Sequence, residues 1–122
     1  MLRSILLSAT AIALMVSGEA RACMLPEVDF AVGSTRIPAE GRNEVDSILG
    51  AALASPEAKV RLTALTNYSR QNRRMAERRV EVIRAALVEG GVSPRRITVR
   101  YDRASGEYAR IVSMEVVAAP TC

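Results

Sequence analysis

The sequence contains no His and no Trp, and only two Cys. Histidine is the commonest general base and zinc ligand, and it completes the Ser-His and Cys-His dyads. Two cysteines cannot build a zinc or iron–sulfur site alone. We therefore expect neither a metal nor a cofactor, and most single-domain enzyme chemistries are disfavoured. Aromatic residues make up 3% of the chain, which argues against a stacking platform for nucleic acid.

Residues 1–22 have the pattern of a secretory signal peptide. Arg3 supplies a positive start, an apolar run of 12 residues extends from Ile5 to Val16, and Ala20-Arg21-Ala22 forms an A-x-A cleavage site. The run is too short to span a bilayer core of ~30 Å, which needs about 20 residues. We expect cleavage after Ala22, with a signal anchor as the alternative, and no transmembrane segment in the mature chain.

The mature chain is mildly basic. The whole sequence has 17 Lys and Arg against 13 Asp and Glu. Cleavage removes two arginines and one glutamate, which leaves a net charge of +3. Outside the cytoplasm this charge does not favour nucleic acid, and it suits the anionic polymers and lipids of a cell envelope. With 49% apolar residues in a chain of 122, we expect residues 23–122 to form one domain with its own core.

The two cysteines, Cys23 and Cys122, lie at the ends of the predicted mature chain. An even number of cysteines in a secreted chain favours a disulfide between them. Lipidation of Cys23 is the alternative. The residues before Cys23 match a lipoprotein signal poorly, and lipidation would leave Cys122 as an odd thiol.

Apolar periodicity predicts four strands and two helices. The strands are expected around Val28–Val32, Val60–Ala64, Ile97–Tyr101 and Val112–Val116. The helices are expected from near Pro38 to Ser55-Pro56 and from about Asn72 to Glu89. The order β-α-β-α-β-β predicts an α+β two-layer sandwich, a four-stranded mixed sheet with both helices on one face. The last two strands are expected to form a hairpin.

Four short segments share the order and spacing of motifs in one known domain family. They are Val28–Phe30 followed by Ser34, Asn72–Val80, Gly90–Val92 followed by Arg96-Ile97, and Arg110–Val112. The strongest, NRRMAERRV, is similar to the family pattern N-x-x-L-S-x-x-R-A. Over residues 28–117 the chain thereby resembles the OmpA-like domain, the peptidoglycan-binding module of outer-membrane porins and peptidoglycan-associated lipoproteins.

The resemblance implies a binding module and not an enzyme, located in the periplasm and associated with the outer membrane. In that family the last strand lies antiparallel beside the first, which brings the chain ends together and supports a Cys23–Cys122 disulfide. The family holds the diaminopimelate of a peptidoglycan stem peptide. An Asp pairs with the ligand ammonium, and an Arg binds its carboxylate. The implied partner is peptidoglycan or, if that activity has been lost, an envelope protein.

The resemblance also implies the site residues. The family motif G-H-T-D aligns with Ala64–Asn67, which retains Thr66 but has Asn67 where the family has Asp. Arg79 matches the carboxylate-binding Arg, Asn72 begins the helix motif, and Arg110 remains from N-R-R-V. We therefore expect ligand binding by Thr66, Asn67, Asn72, Arg79 and Arg110. Because Asn67 is uncharged, its contact with an ammonium is expected to be weaker than that of an Asp.

Structural alternatives remain for two of these residues and for the arginines of the second helix. Arg79 is equally well interpreted as a helix-edge residue bonded to loop carbonyls, and Asn67 is more readily interpreted as a turn residue. The five arginines from Arg70 to Arg79 form either an anion-binding face or an ordinary solvated helix face. The loops after Asn67 and before Arg110 are short, which predicts a shallow or absent pocket. The alternative function is a degenerate domain that serves as an envelope interaction or structural module.

Overall fold

The computed structural model describes residues 25–67 and 69–117. Its helices and strands are β1 (Glu27–Asp29), α1 (Ala39–Ala54), β2 (Val60–Thr66), α2 (Arg70–Glu89), β3 (Ile97–Arg103) and β4 (Ile111–Val116). Short 3₁₀ turns at Pro94–Arg96 and Gly106–Arg110 precede β3 and β4. This order confirms the predicted α+β fold. The predicted signal peptide and both cysteines lie outside the described residues, so these remain predictions.

The sheet is four-stranded and mixed, in the order β1-β4-β2-β3. β4 pairs antiparallel with both β1 and β2, whereas β2 pairs parallel with β3. The expectation that the last strand lies antiparallel beside the first is confirmed by the pair Val28–Val112. The predicted hairpin of the last two strands is wrong, because β2 lies between β3 and β4. β2 has one fully buried face and takes a central position, while β3 lies at an edge, where Val99 remains 39% exposed.

The core lies between one face of the sheet and the two helices. β2 contributes Val60, Leu62 and Ala64, each with no exposed surface. The predicted apolar stripe of α2 is buried throughout; its members are Ala76, Val80, Ile83 and Leu87. Val32, predicted to lie in the first strand, is instead 80% exposed. β1 ends at Asp29, and the chain then turns through Gly33, whose φ of 68° is readily adopted by glycine.

Two polar contacts define helix ends. Ser69 caps α2, because its Oγ accepts a hydrogen bond from the Asn72 backbone N–H at 3.2 Å. α2 thus begins at Arg70, two residues before the predicted start. At the end of α1, the Arg96 guanidinium donates to the carbonyls of Ala52, Ser55 and Ala58 at 2.9, 2.7 and 2.7 Å. These bonds add a charged donor to carbonyls at and after the helix end, of which those of Ala52 and Ser55 also accept backbone N–H groups.

Neither helix has an apolar run suited to a bilayer: within the described ranges, no helix is both long enough and apolar enough to cross a membrane.

Two glycines of α1 provide a matched test of how closely this helix packs on the sheet. A Cβ at Gly41 would lie 2.8 Å from Cγ1 of the buried Val28, whereas a Cβ at Gly50 would meet no atom within 4 Å. We expect Gly50→Ala to raise the free energy of unfolding by about 1 kcal/mol, through helix propensity alone. Gly41→Ala should lower it, because overpacking of a filled core costs about 1–3 kcal/mol.

Urea unfolding of both variants and the parent protein measures the difference. Equal stabilisation by the two substitutions would contradict the close approach of α1 to β1.

Candidate functional site

A cavity of about 280 Å³ opens at the carboxyl end of β2. Four segments surround it: the loop between β1 and α1, the turn between β2 and α2, the first turns of α2, and the 3₁₀ turn before β4. Its lining residues are Val32, Gly33, Asn67, Gln71, Asn72, Met75, Arg79, Gly106, Ala109 and Arg110. Four of the five predicted ligand-binding residues therefore lie around one cavity. A cavity is present even though the loops after Asn67 and before Arg110 are short.

Arg79 joins α2 to the loop after β1. It lies beside the buried stripe of the helix and is only 4% exposed. Its Nε donates to the Ser34 carbonyl at 3.0 Å and its Nη2 to the Ala31 carbonyl at 3.3 Å. Its guanidinium carbon lies 5.4 Å from the centre of the Phe30 ring. The loop-carbonyl interpretation of Arg79 is thus correct, and the same residue also lines the cavity.

Burial and a like charge both act on Arg79. Desolvation lowers the pKa of its guanidinium, the charge of Arg110 lowers this pKa further, and Asp29 opposes the shift. An arginine stays protonated despite such a shift. The repulsion is therefore present in the folded protein, and an anion placed between the two guanidiniums would relieve it.

Arg110 holds the opposite side of the cavity and contacts the same loop. Its Nε donates to the Phe30 carbonyl at 3.1 Å, and the Phe30 N–H donates back to the Arg110 carbonyl at 3.1 Å. Among the described residues, no hydrogen bond uses the Nη groups of Arg110 or Nη1 of Arg79. Because both arginines line the cavity, these are the donors that a ligand bound there could use.

Asn67 organises the turn between β2 and α2. Its Oδ1 accepts from the Ser69 N–H at 2.9 Å, an Asx-turn, and from Nδ2 of Asn72 at 2.8 Å. The turn interpretation of Asn67 is therefore correct. Thr66 is buried, and its hydroxyl donates to the Asn67 carbonyl at 3.2 Å. Thr66 does not line the cavity, so its role is to support Asn67.

Sequence reasoning missed Gln71 and Met75, which line the cavity from α2. A signal for them was present: Gln71, Met75 and Arg79 are spaced four residues apart and lie along one side of a helix. The lining residues from the two loops, such as Gly33 and Gly106, have no comparable periodicity.

The arginines of α2 do not form one uniform face. Arg79 turns inward, and the Arg73 guanidinium lies 4.0 Å from the centre of the Tyr101 ring. Arg70, Arg74 and Arg78 are exposed and border a second depression, which shares Gln71 and Met75 with the cavity. Positive charge thus continues outward from the cavity along the first turns of α2.

The electrostatic character of the cavity favours an anion. Two of its lining residues are arginines and none is Asp or Glu. The N-terminus of α2, which has no acidic residue in its first turn, adds partial positive charge and free N–H groups. Among the described residues, no group of three or more His, Cys, Asp or Glu side chains is placed to hold a metal ion.

Comparison with known proteins gives one family match and several structural ones. The OmpA family model matches residues 29–112. The peptidoglycan-associated lipoprotein of Burkholderia pseudomallei is similar, with a TM-score of 0.62 and 16% identity over 73% of this chain and 87% of that one. The OmpA-like domain of FopA1 from Francisella tularensis subsp. tularensis SCHU S4 has a TM-score of 0.61 and 12% identity over 73% and 69%.

The cell wall anchor of the T6SS from Pseudomonas aeruginosa has a TM-score of 0.56 and 16% identity over 85% of this chain and 93% of that one. At these identities the structural likeness is one of fold. No curated protein matches the sequence.

Adjacent arginines of α2 test the structural role of Arg79. Arg79→Ala should lower the free energy of unfolding by about 1–3 kcal/mol, because the Ser34 carbonyl loses its donor and the Ala31 carbonyl loses one of two. Arg78→Ala removes the same charge from an exposed position and should change stability by less than about 0.5 kcal/mol. Chemical denaturation measures both, and equal effects would show that Arg79 does not hold the loop.

Proposed function

Because the chain belongs to the OmpA family, we propose that it binds peptidoglycan non-covalently, through the diaminopimelate of a stem peptide, at the cavity beside α2. The observation that carries this proposal is the pair of arginines, Arg79 and Arg110, on one cavity that has no lining carboxylate. Such a cavity suits a carboxylate ligand. The role is one of binding and not of catalysis.

Two of the structural neighbours support a cell-wall ligand. The Burkholderia protein is a peptidoglycan-associated lipoprotein and the Pseudomonas protein is a cell wall anchor, and both have the fold of this chain. In this proposal the ligand carboxylate lies between the unused Nη groups of Arg110 and Nη1 of Arg79. Arginine presents paired N–H donors that match the two oxygens of a carboxylate.

The proposed location is the periplasm, with association to the outer membrane. Residues 1–22 would direct export and be removed, and Cys23 and Cys122 would form a disulfide. The pairing of Glu27 with Ser113 supports this disulfide, because the chain before β1 and the chain after β4 leave the sheet at the same end. An oxidising compartment would allow the bond to persist.

A pull-down on diaminopimelate-type peptidoglycan tests the proposed binding. We expect the purified protein to be retained and to be released by free diaminopimelate. Arg110→Ala should weaken retention by roughly tenfold or more, as expected for loss of a charged hydrogen-bond donor. Arg42→Ala is the matched control, because it removes one positive charge from an exposed position that does not line the cavity.

No retention of a folded protein would contradict peptidoglycan binding and favour an envelope interaction module. Retention that salt removes but diaminopimelate does not would show a non-specific electrostatic surface.

The intact mass of the protein isolated from the periplasm tests export and the cysteines together. We expect loss of residues 1–22 and a mass lower than that of the reduced chain by two hydrogens, with N-terminal sequencing starting at Cys23. Two free thiols would contradict the disulfide, and a lipid-sized mass increase would establish lipidation of Cys23 instead.

A further inference from the structure

The cavity has donors for a carboxylate but no anion to balance an ammonium group. Its two charged lining residues, Arg79 and Arg110, are both positive. Their mutual repulsion already acts on Arg79. An ammonium bound next to the ligand carboxylate would add a third positive charge to this space, at the positive end of α2.

The side-chain oxygen of Asn67 on the cavity lining is already in use. A carbonyl oxygen has two lone pairs, and Oδ1 of Asn67 accepts from both the Ser69 N–H and Asn72 Nδ2. The side-chain acceptors left on the lining are the neutral amide oxygens of Gln71 and Asn72. A neutral acceptor forms a hydrogen bond with about half the strength of a charged one.

We propose that the cavity selects a diaminopimelate whose amine next to the bound carboxylate is acylated over one whose amine is free; this inference rests on the proposed function. Acylation converts the ammonium into a neutral amide N–H. That group keeps one donor for the amide oxygens of Gln71 or Asn72 and removes the repulsion from the two guanidiniums. In peptidoglycan, cross-linking acylates the diaminopimelate amine that the stem peptide leaves free, so a protein that binds the carboxylate beside that amine would recognise cross-linked stem peptides.

Titration with three soluble probes tests the preference. The probes are meso-diaminopimelate, its mono-N-acetyl derivative and pimelate, which has the same carbon chain without amines. We expect the mono-N-acetyl compound to bind on the order of tenfold more tightly than meso-diaminopimelate, because acetylation removes one unfavourable charge contact. Pimelate should also bind more tightly than diaminopimelate, and Arg110→Ala should weaken binding of all three.

Asn67→Asp separates this selectivity from general attraction of anions. It places a carboxylate at the cavity, and Asp can still accept the Ser69 N–H of the turn. We expect it to reverse the order, so that the free amine binds better than the acylated one. Asn43→Asp makes the same change in charge at an exposed position of α1, away from the cavity lining, and should leave the order unchanged. Thermal unfolding confirms that both variants fold.

The outcomes distinguish the two proposals. If peptidoglycan retains the protein but free diaminopimelate binds as tightly as the acetylated form, the selectivity is overturned and the proposed function stands. If the folded protein neither is retained by peptidoglycan nor binds any probe, both are overturned. If Asn43→Asp reverses the order as Asn67→Asp does, the effect is one of net charge and the selectivity is overturned.

Discussion

The guanidinium of Arg79 connects the second helix to the loop after the first strand, and the cavity depends on that connection. It donates to the carbonyls of Ala31 and Ser34, and it lies beside the ring of Phe30. Arg110 fixes the same loop from the other side through Phe30. Two positive groups are thus held near each other by backbone carbonyls, without a carboxylate on the cavity lining to neutralise them. This arrangement costs desolvation and repulsion, and an anionic ligand between the two groups would relieve the repulsion.

Structural roles and proposed ligand-binding roles therefore meet in the same side chains. Arg79 uses two of its three nitrogens to hold the loop, and Asn67 uses Oδ1 to hold the turn into α2. The groups that remain for a ligand are Nη1 of Arg79, the Nη groups of Arg110, and the neutral side-chain amides of the lining. The chemistry of the cavity follows from this division. It is rich in donors for a carboxylate and has only neutral side-chain acceptors for an amine.

Elements with strong apolar periodicity were predictable from the sequence. The stripe of α2 and the alternation of β2 were predicted correctly because their burial repeats at the periods of a helix and a strand. The position of β2 between β3 and β4 was not, because sequential neighbours often pair and nothing local indicates that β2 separates the last two strands. The inward bonds of Arg79 and the capping of α1 by Arg96 join residues more than 35 positions apart. Such contacts arise from tertiary packing, so spacing along the chain could not reveal them. The family resemblance indicated which side chains meet, but the occupied oxygen of Asn67 appeared only in three dimensions.

The most direct test of ligand binding at the cavity is an NMR titration of the labelled protein with soluble fragments of diaminopimelate-type peptidoglycan. We expect saturable shifts of the backbone amides of Gln71, Asn72 and Gly106 and of the Arg110 side chain, with the exposed Arg42 of α1 unaffected. Shifts absent from the cavity, or spread over the exposed arginines Arg70, Arg74 and Arg78 without saturation, would contradict it.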